Sequence, residues 1–432
     1  MDYNGSGPRG NRDSLNHEEE IVIVGGGIGG LACALALHRV GIKAVILEQS
    51  ETLRVEGAAI ALWTNAFCVL DVLGVGDKFR TMFTNLLKKE ILNSRGKTLT
   101  KVELADCDGG RHQLRVVERN VLLEVLAEEL PEGTIHFNSR VVRIRKSETR
   151  TGITDVELES GSTYSAKVVI GFDGINSCVA SWIGLQKAQP VGNVVIRGMA
   201  NFPGGHTFEN KVQFFVGKGT HTAILPSSST KVFWSLVWND WSEGWRNTSG
   251  EQRKAEALQR ASTSFSSTPM PFLINSTPPE RFFKSTIRQR LNPDPDVLVN
   301  GNVTVAGDAA HPITPDMAQG GCMALEDAVI ITQKLYWALR STPNADDQVQ
   351  NQVQLTEHER INQALLEFHR ERHERISFIS TQSIKIGKLM LSGWSVINFF
   401  RDRFVIPVVV NKTSSLAHTM FDVGKLPTST SS

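Results

Sequence analysis

A glycine-rich segment near the amino terminus has a residue spacing that suits phosphate binding. Its sequence GGGIGG, at residues 25–30, fits GxGxxG and directly follows an apolar run at residues 21–24. In such a turn one glycine permits a tight bend, one lets the backbone approach a pyrophosphate, and one lets the next helix pack on the strand. The free N–H groups of that helix attract phosphate. A glycine-rich turn without a ligand is the alternative. The residues predicted to hold the pyrophosphate are Gly25, Gly27, Ile28, Gly29 and Gly30.

An acidic residue stands where such a turn needs a partner for ribose. Glu48 follows the second apolar run, at residues 43–47, and comes eighteen residues after Gly30. A carboxylate at this place can bind ribose hydroxyls, and it repels a 2′-phosphate. With the adjacent Gln49, Glu48 extends the predicted site from the pyrophosphate to a ribose. The glycine motif alone fits NAD as well as FAD.

Two further motifs distinguish these two cofactors. The first is AGDAAHP at residues 306–312, which leads into TPDMAQGG at residues 314–321, and the second is KVVIGFDG at residues 167–174. Together with the glycine-rich turn they resemble the three sequence marks of the aromatic-hydroxylase (group A) class of flavoprotein monooxygenases. The resemblance extends from residue 21 to about residue 422. It is greatest to plant FAD-dependent monooxygenases related to zeaxanthin epoxidase and to salicylate- and urate-hydroxylase-like proteins.

The resemblance implies how the chain would hold FAD. Asp308 would bind a ribityl hydroxyl, and Pro315 would lie beside the isoalloxazine ring. Gly320 and Gly321 would begin a helix whose N–H groups face the pyrimidine edge of the flavin. Because that edge becomes anionic on reduction, a helix N-terminus there would stabilise it. The other residues that the resemblance implies for FAD are Ala58, Ala59, Arg119, Asp173, Gly174 and Gly307.

Two positions depart from the pattern of the class. Ala180 stands near the place where many relatives have an arginine, whose role would be to engage a nicotinamide pyrophosphate. Ala318 stands where relatives commonly have glycine. Alanine is less permissive than glycine in its backbone angles. We therefore expect the loop from Pro315 to Gly321, which the resemblance places beside the flavin, to be stiffer or shifted.

These motifs require a scaffold that brings distant segments together. The βαβ pattern at residues 21–47 and the strand pattern at residues 303–306 predict an α/β fold: a discontinuous, doubly wound, Rossmann-like FAD domain with an inserted β-sheet substrate domain and C-terminal helices. A polar connector is expected at residues 239–267. The expected boundaries are a disordered tail at 1–20, the FAD-binding domain at 21–80, 100–190 and 291–345, the substrate domain at 81–99 and 191–290, and a helical segment at 346–432.

Composition excludes several classes of function. Lys plus Arg number 46 and Asp plus Glu number 45, so no net charge favours nucleic acid. The five cysteines are scattered without a CxxC pair or metal-ligand spacing, which indicates reduced thiols and no metal site. No apolar run is long enough to cross a membrane, and the first twenty residues lack the apolar core of a signal peptide. We therefore expect a cytoplasmic protein.

The resemblance implies a single-component flavoprotein monooxygenase with noncovalently bound FAD. In this class NAD(P)H reduces FAD, and dioxygen then gives a flavin hydroperoxide that hydroxylates a small phenolic or heteroaromatic metabolite. The absence of a second GxGxxG agrees with NAD(P)H as a transient co-substrate. Arg197 is the one catalytic candidate, and Met199, His221 and Phe233 could reach the same pocket. An epoxidase or other oxidative tailoring enzyme of secondary metabolism, and a flavin-binding redox sensor without oxygenase activity, remain open.

Two segments near the carboxyl terminus allow more than one interpretation. The run HRERHER at residues 369–375 contains metal-ligand types, but its mixed charges favour a solvated helix face. Four aromatic residues, Trp394, Phe399, Phe400 and Phe404, could contact a membrane. The favoured interpretation is that they dock the C-terminal helices on the core.

Overall fold

The computed structural model describes residues 16–53, 59–241, 248–290, 293–340, 355–410 and 416–428. Ala58 and most of the expected tail therefore lie outside the described residues. The strands in chain order are β1 (Asn16–Val24), β2 (Ala44–Leu47), β3 (Ala59–Trp63), β4 (Lys88–Asn93), β5 (Thr98–Glu103), β6 (Leu114–Glu118), β7 (Ile135–His136), β8 (Val141–Lys146), β9 (Thr154–Leu158), β10 (Thr163–Gly171), β11 (Gln189–Asn201), β12 (Lys211–Val216), β13 (Thr220–Pro226), β14 (Lys231–Asn239), β15 (Phe283–Gln289), β16 (Val299–Asn300) and β17 (Val303–Val305).

Ten α-helices and a π-helical segment lie between and after these strands in the described part of the chain. They are α1 (Ile28–Arg39), α2 (Thr64–Val72), α3 (Gly76–Met82), α4 (Arg119–Glu128), α5 (Cys178–Ile183), α6 (Gly250–Ser264), α7 (Met270–Asn275), α8 (Gly320–Arg340), α9 (Glu357–Met390), α10 (Ser395–Phe400) and the π-helical segment Arg401–Val410.

The first sheet has the order β16-β17-β10-β1-β2-β7, and β9 and β8 extend it from β10. The pairs β17–β10, β10–β1, β1–β2 and β2–β7 are parallel. Ile21, Val22 and Ile23 are wholly buried, as a parallel strand covered on both faces requires. Helices α1 and α8 pack against each other beside this sheet. The predicted doubly wound α/β fold is confirmed.

Strand β1 begins earlier than the sequence suggested. Asn16 pairs with Thr163 and Glu19 pairs with Ala166, so residues 16–20 belong to the sheet. Their assignment to a disordered tail was wrong. This segment is polar and is held by hydrogen bonds to the neighbouring strand β10. It therefore lacks the apolar residues by which a strand is recognised in a sequence.

The second sheet has the order β15-β11-β14-β13-β12-β4-β5. All its pairs are antiparallel except β12–β4. Helix α6 covers one face, where Ala257 and Ala261 pack with Trp234. The expected polar connector is therefore largely a helix. Most residues of α6 are polar because its apolar stripe is narrow, so its sequence resembles that of a polar connector.

Two predictions for the carboxyl-terminal third were wrong. His369 and Arg372 are buried in α9, so the run at 369–375 is not simply a solvated face. The aromatic side chains at 394–404 are exposed and do not dock on the core. Among the described residues, no cluster of three or more His, Cys, Asp or Glu could hold a metal ion. No described helix combines the length and apolarity needed to cross a membrane.

Candidate functional site

The glycine-rich turn follows β1 and is shaped by close contacts with the end of β10. Gly25 has φ +106°, and a Cβ there would lie 2.6 Å from the carbonyl oxygen of Phe172. A Cβ on Gly29 would lie 2.5 Å from Cδ1 of the Phe172 ring, and one on Gly30 would lie 2.0 Å from the Gly25 carbonyl oxygen. No larger residue fits at these positions without displacing backbone or a packed ring. The predicted role of the glycines in packing strand against helix therefore agrees with the structure.

Gly27 differs from its neighbours because it faces open space. A Cβ there would have no atom within 4 Å, and Gly27 is the N-cap of α1. The first N–H groups of α1 receive no side-chain cap. Unsatisfied N–H groups at a helix start, next to open space, suit an anionic ligand.

Glu48 lies at the end of β2 and fixes the turn from the other side. Its Oε2 accepts a hydrogen bond from the Gly26 N–H at 2.7 Å, and its Oε1 accepts one from the Ser50 N–H at 2.8 Å. The carboxylate is buried, whereas the adjacent Gln49 is exposed. Glu48 therefore ties the end of β2 to the glycine-rich turn, at the place predicted for a ribose.

The end of β10 contributes the Asp-Gly element. The Oδ2 atom of Asp173 accepts hydrogen bonds from the N–H groups of Cys178 at 2.7 Å and Val179 at 3.3 Å. Asp173 therefore holds the start of α5, and Gly174, with φ +79°, forms the bend between them. Ala180 is buried in α5. A long charged side chain at that position would have to enter the core.

The segment after β17 is held by a buried ionic network that sequence reasoning missed. Asp327 Oδ2 accepts a hydrogen bond from the Gly307 N–H at 2.9 Å and lies 2.6 Å from His311 Nε2, while Oδ1 lies 2.8 Å from Arg372 Nε. Burial alone would raise the pKa of Asp327. The charges of His311 and Arg372 outweigh it and hold the pKa well below its usual range. The one available signal was a Glu-Asp pair, at residues 326–327, inside an apolar helix.

Asp308 lies next to this network, and its side chain is accessible to solvent. The protein atoms around the carboxyl desolvate it and raise the pKa of Asp308, while the nearby charges of His311, Arg119 and Arg197 lower it. Three predicted residues are thus close enough for their charges to interact, although they come from distant elements: Arg119 from α4, Arg197 from β11 and Asp308 from the segment after β17.

Arg197 approaches Asp308 and Arg119 from the second sheet. Its neighbour Ile196 packs with Trp234 on the face covered by α6, so Arg197 points to the opposite face. Its Nη2 donates to Ser285 Oγ at 2.8 Å, while its buried Nε has no hydrogen-bond partner among the described residues. Burial, and then the charge of Arg119, lower the pKa of Arg197. Arg197 is therefore a buried cation with one N–H group that lacks a partner among the described residues.

The loop that begins at Pro315 leads into the start of α8, close to Asp308. Pro315 is exposed, and Ala318 has φ +50°, a left-handed conformation that favours glycine. A Cβ on Gly321 would lie 2.1 Å from Cδ1 of Ile60 in β3, whose first residue is Ala59. A Cβ on Gly320 would make only ordinary contacts, including one of 3.9 Å to Asp308 Oδ1. Gly321 therefore fits against β3, and Gly320 faces Asp308.

His221 and Asp316 form a second pair that sequence reasoning did not connect. His221 on β13 is buried, neither ring nitrogen has a hydrogen-bond partner among the described residues, and its Nε2 lies 3.8 Å from Asp316 Oδ1. Burial lowers the pKa of His221 to about 4 and raises that of Asp316 to about 6. Beside Asp316 a cleft of about 240 Å³ opens between β11, β15 and α9.

Taken together, the predicted residues converge from distant parts of the chain and fit a flavin adenine dinucleotide. The open N-terminus of α1 can receive the pyrophosphate, Glu48 can receive a ribose, and Asp308 is accessible beside Gly320. No geometry conflicts with the predicted assignments of the described residues. Contact of each one with the cofactor remains a prediction.

Comparison with known proteins agrees with this site. A family model described as an FAD binding domain matches residues 18–367. Monooxygenase 2 of Arabidopsis thaliana is 32% identical over 413 residues, which cover 94% of this chain and 98% of that protein. The 3-hydroxybenzoate 6-hydroxylase of Klebsiella oxytoca is 30% identical over 331 residues, 73% of this chain and 79% of that protein. The crystal structure of Klebsiella pneumoniae HpxO complexed with FAD and uric acid shares the fold, with TM-score 0.77, 23% identity and coverage of 95% and 98%.

Proposed function

The chain belongs to the FAD binding domain family, among its FAD-dependent monooxygenases, and we propose that it uses NAD(P)H and dioxygen to hydroxylate a small phenolic or heteroaromatic metabolite. The observation that carries this proposal is that Arg197 and Asp308 are close enough for their charges to interact. Arg197 comes from the face of the second sheet opposite to α6, and Asp308 comes from a motif associated with FAD.

FAD, when bound, supplies the redox and oxygen-activating chemistry, and the chain supplies binding, orientation and a dry environment. In this proposal the start of α1 binds the pyrophosphate, and Glu48 binds a ribose. Asp308 and Arg119 bind the middle of the cofactor. The start of α8, at Gly320 and Gly321, places N–H groups and a positive helix end where negative charge develops on reduction.

Arg197 is the proposed catalytic residue. A guanidinium in a low-dielectric environment can bind and orient an oxygen anion of the substrate. A phenolate or an acidic heteroaromatic ring carries such an oxygen and is electron-rich. The names of two relatives support this substrate class, because 3-hydroxybenzoate is a phenol and uric acid is a heteroaromatic compound.

The face of the second sheet that carries Arg197 would exclude water from the bound substrate. Met199 and Phe233 pair across β11 and β14 and share the face of Arg197. Both side chains are apolar, so a planar ring resting on them would be shielded from solvent. We propose that these two residues help to hold the ring of the substrate, and that Arg197 sets its orientation.

A metabolite panel tests the proposal. The FAD-loaded protein is mixed with NADH or NADPH and with phenolic acids, purines and alkenes, and both cofactor consumption and product mass are followed. We expect a phenolic or heteroaromatic compound to stimulate consumption and to gain one oxygen atom. Oxygen transfer to an alkene alone would indicate an epoxidase, and flavin binding without stimulated oxygenation by any compound would indicate a redox sensor. Either result would contradict the proposal.

A further inference from the structure

The carboxyl-terminal part of the protein exposes a continuous stretch of apolar side chains. Trp394 is 75% exposed and Phe399 is 62% exposed, and other large apolar residues of α10 and the π-helical segment are nearly as open. Single exposed apolar residues are ordinary, but a cluster of this kind marks an interaction surface. We call it the aromatic patch; it consists of Trp394, Val396, Ile397, Phe399, Phe400, Phe404 and Val408.

The aromatic patch lies on a segment whose other side is fixed to the core. Ile406 is wholly buried and packs with Ile91 and Met390. The guanidinium of Arg401, also buried, donates hydrogen bonds to the carbonyl oxygens of Gly217 and Met390. These contacts determine which side faces outward, so the patch is a consequence of the fold.

The two longest stretches outside the described residues lack the composition to cover the aromatic patch. Residues 1–15 and 341–354 have the sequences MDYNGSGPRGNRDSL and STPNADDQVQNQVQ. Both are rich in Gly, Asn, Asp, Gln and Ser, and neither contains an apolar run that could match seven large apolar side chains. The charges of the patch's own segment are therefore the guide to what covers it.

The charges of the segment that carries the aromatic patch indicate what its occupant is. Between residues 376 and 410 the only acidic residue is Asp402, which pairs with Arg401 at 2.7 Å. The remaining cations are Lys385, Lys388 and Arg403. All three are exposed, and none forms an ion pair with a described residue. The segment thus combines apolar aromatic side chains with unneutralised positive charge.

We propose that α10 and the π-helical segment bind in the plane of a membrane surface that carries anionic phospholipids. Trp and Phe side chains are favoured at the boundary between lipid headgroups and acyl chains, and nearby Lys and Arg are attracted to anionic headgroups. A second copy of the chain fits less well. A twofold contact through this patch would bring the same three cations close to their own copies.

Vesicle sedimentation of the full-length, FAD-loaded protein tests this proposal. We expect the protein to sediment with vesicles of phosphatidylcholine and phosphatidylserine, to sediment much less with phosphatidylcholine alone, and to be released by salt. The triple substitution Trp394→Ser, Phe399→Ser and Phe400→Ser should weaken binding to the mixed vesicles by roughly tenfold or more. Substituting Lys385, Lys388 and Arg403 by Gln should remove the preference for phosphatidylserine.

Matched controls separate the aromatic patch from general surface hydrophobicity. Phe272 is 57% exposed on α7, so Phe272→Ser should leave vesicle binding unchanged. Each variant must retain bound FAD, because that shows that it is folded. The proposal would be overturned if the wild-type protein sedimented with neither vesicle type, or if the triple variant bound the mixed vesicles as well as wild type. A wild-type dimer that the triple substitution dissociates, without vesicle binding, would assign the patch to a second copy and also overturn it.

Discussion

His221 Nε2 lies 3.8 Å from Asp316 Oδ1, yet burial shifts the pKa values of both groups against a charged pair. An ion pair would lower the pKa of the carboxyl and raise that of the imidazole. The pKa of Asp316 instead rises to about 6, and that of His221 falls to about 4. Desolvation therefore outweighs their attraction, and between about pH 4 and pH 6 both groups favour the uncharged form.

This relationship predicts how stability depends on pH. The usual pKa of an aspartate is 3.8, so the folded protein keeps a proton on Asp316 that the unfolded chain has already released. That contribution is fully present below about pH 4 and is lost as pH rises through about 6. The shift corresponds to at most about 3 kcal/mol. We expect Asp316→Asn to gain stability relative to wild type as pH rises from 4 to 7, measured by urea unfolding of the FAD-loaded protein.

His221 acts in the opposite direction and provides the control. Its folded pKa lies below the usual 6.5, so its contribution is lost as pH falls from about 6.5 to 4. His221→Gln should therefore gain stability relative to wild type mainly on the acid side. If the difference between Asp316→Asn and wild type did not change with pH, the carboxyl would not be buried as described.

The backbone of Ala318 offers a second test. A left-handed conformation costs a residue with a Cβ roughly 1–2 kcal/mol, whereas glycine adopts it freely. Glycine also raises the entropy of the unfolded chain, at a cost of about 0.5–1 kcal/mol. We expect Ala318→Gly to stabilise the protein slightly and Ala318→Val to destabilise it, both measured by thermal unfolding. A clear loss of stability in Ala318→Gly would show that the loop does not have this conformation.

Gly320 and Gly321 are neighbours with different surroundings, and this makes them a matched pair. An alanine at 321 must displace Ile60, so Gly321→Ala should cost about 1–3 kcal/mol of stability. Gly320→Ala meets only ordinary contacts and should fold as well as wild type, but it should bind FAD more weakly if Gly320 faces the flavin. Both quantities can be measured by unfolding without added FAD and by FAD titration.

A second substitution tests the cause of the loss at Gly321. Ile60→Val removes the Cδ1 atom that the new Cβ would meet. The double variant Gly321→Ala with Ile60→Val should therefore recover much of the lost stability. If the double variant were less stable than Gly321→Ala alone, the contact between the new Cβ and Ile60 would not explain the loss of stability at Gly321.

Asp308 tests the binding of the cofactor itself. A charge-assisted hydrogen bond to the ribityl chain contributes about 1.5–3 kcal/mol. Asp308→Ala should therefore lower the affinity for FAD by roughly ten- to a hundredfold. The exposed Glu132, in the turn before β7, gives a control because Glu132→Ala should leave FAD affinity unchanged. Full FAD retention by Asp308→Ala at low protein concentration would rule out the proposed contact.

The sequence predicted best what depends on neighbouring residues. The turn at residues 25–30, Glu48 and Asp308 lie in short motifs whose spacing directly reflects a turn, a strand end or a helix start. The opposite held where a partner is distant in sequence. Arg372 pairs with Asp327, 45 residues away, and His221 lies near Asp316 only because the second sheet packs on the loop that begins at Pro315.

Amphipathic patterns were the least reliable signal. Helix α6 buries only Ala257 and Ala261, so its sequence is nearly all polar. The aromatic patch has the composition of a core-facing helix, but only the three-dimensional structure shows that Ile406 faces inward while Trp394 faces solvent. Periodicity identifies an apolar face without identifying what that face contacts.

Isotope labelling tests the central claim most directly. The FAD-loaded protein, NAD(P)H and a substrate found in the metabolite panel are incubated under ¹⁸O₂, and the product is analysed by mass spectrometry. We expect one ¹⁸O atom per hydroxylated product and about one NAD(P)H consumed for each. We also expect Arg197→Gln, with FAD still bound, to divert most of the reductant to hydrogen peroxide. Product oxygen that came from water, or reductant consumed only to peroxide by the wild-type protein with every substrate, would contradict it.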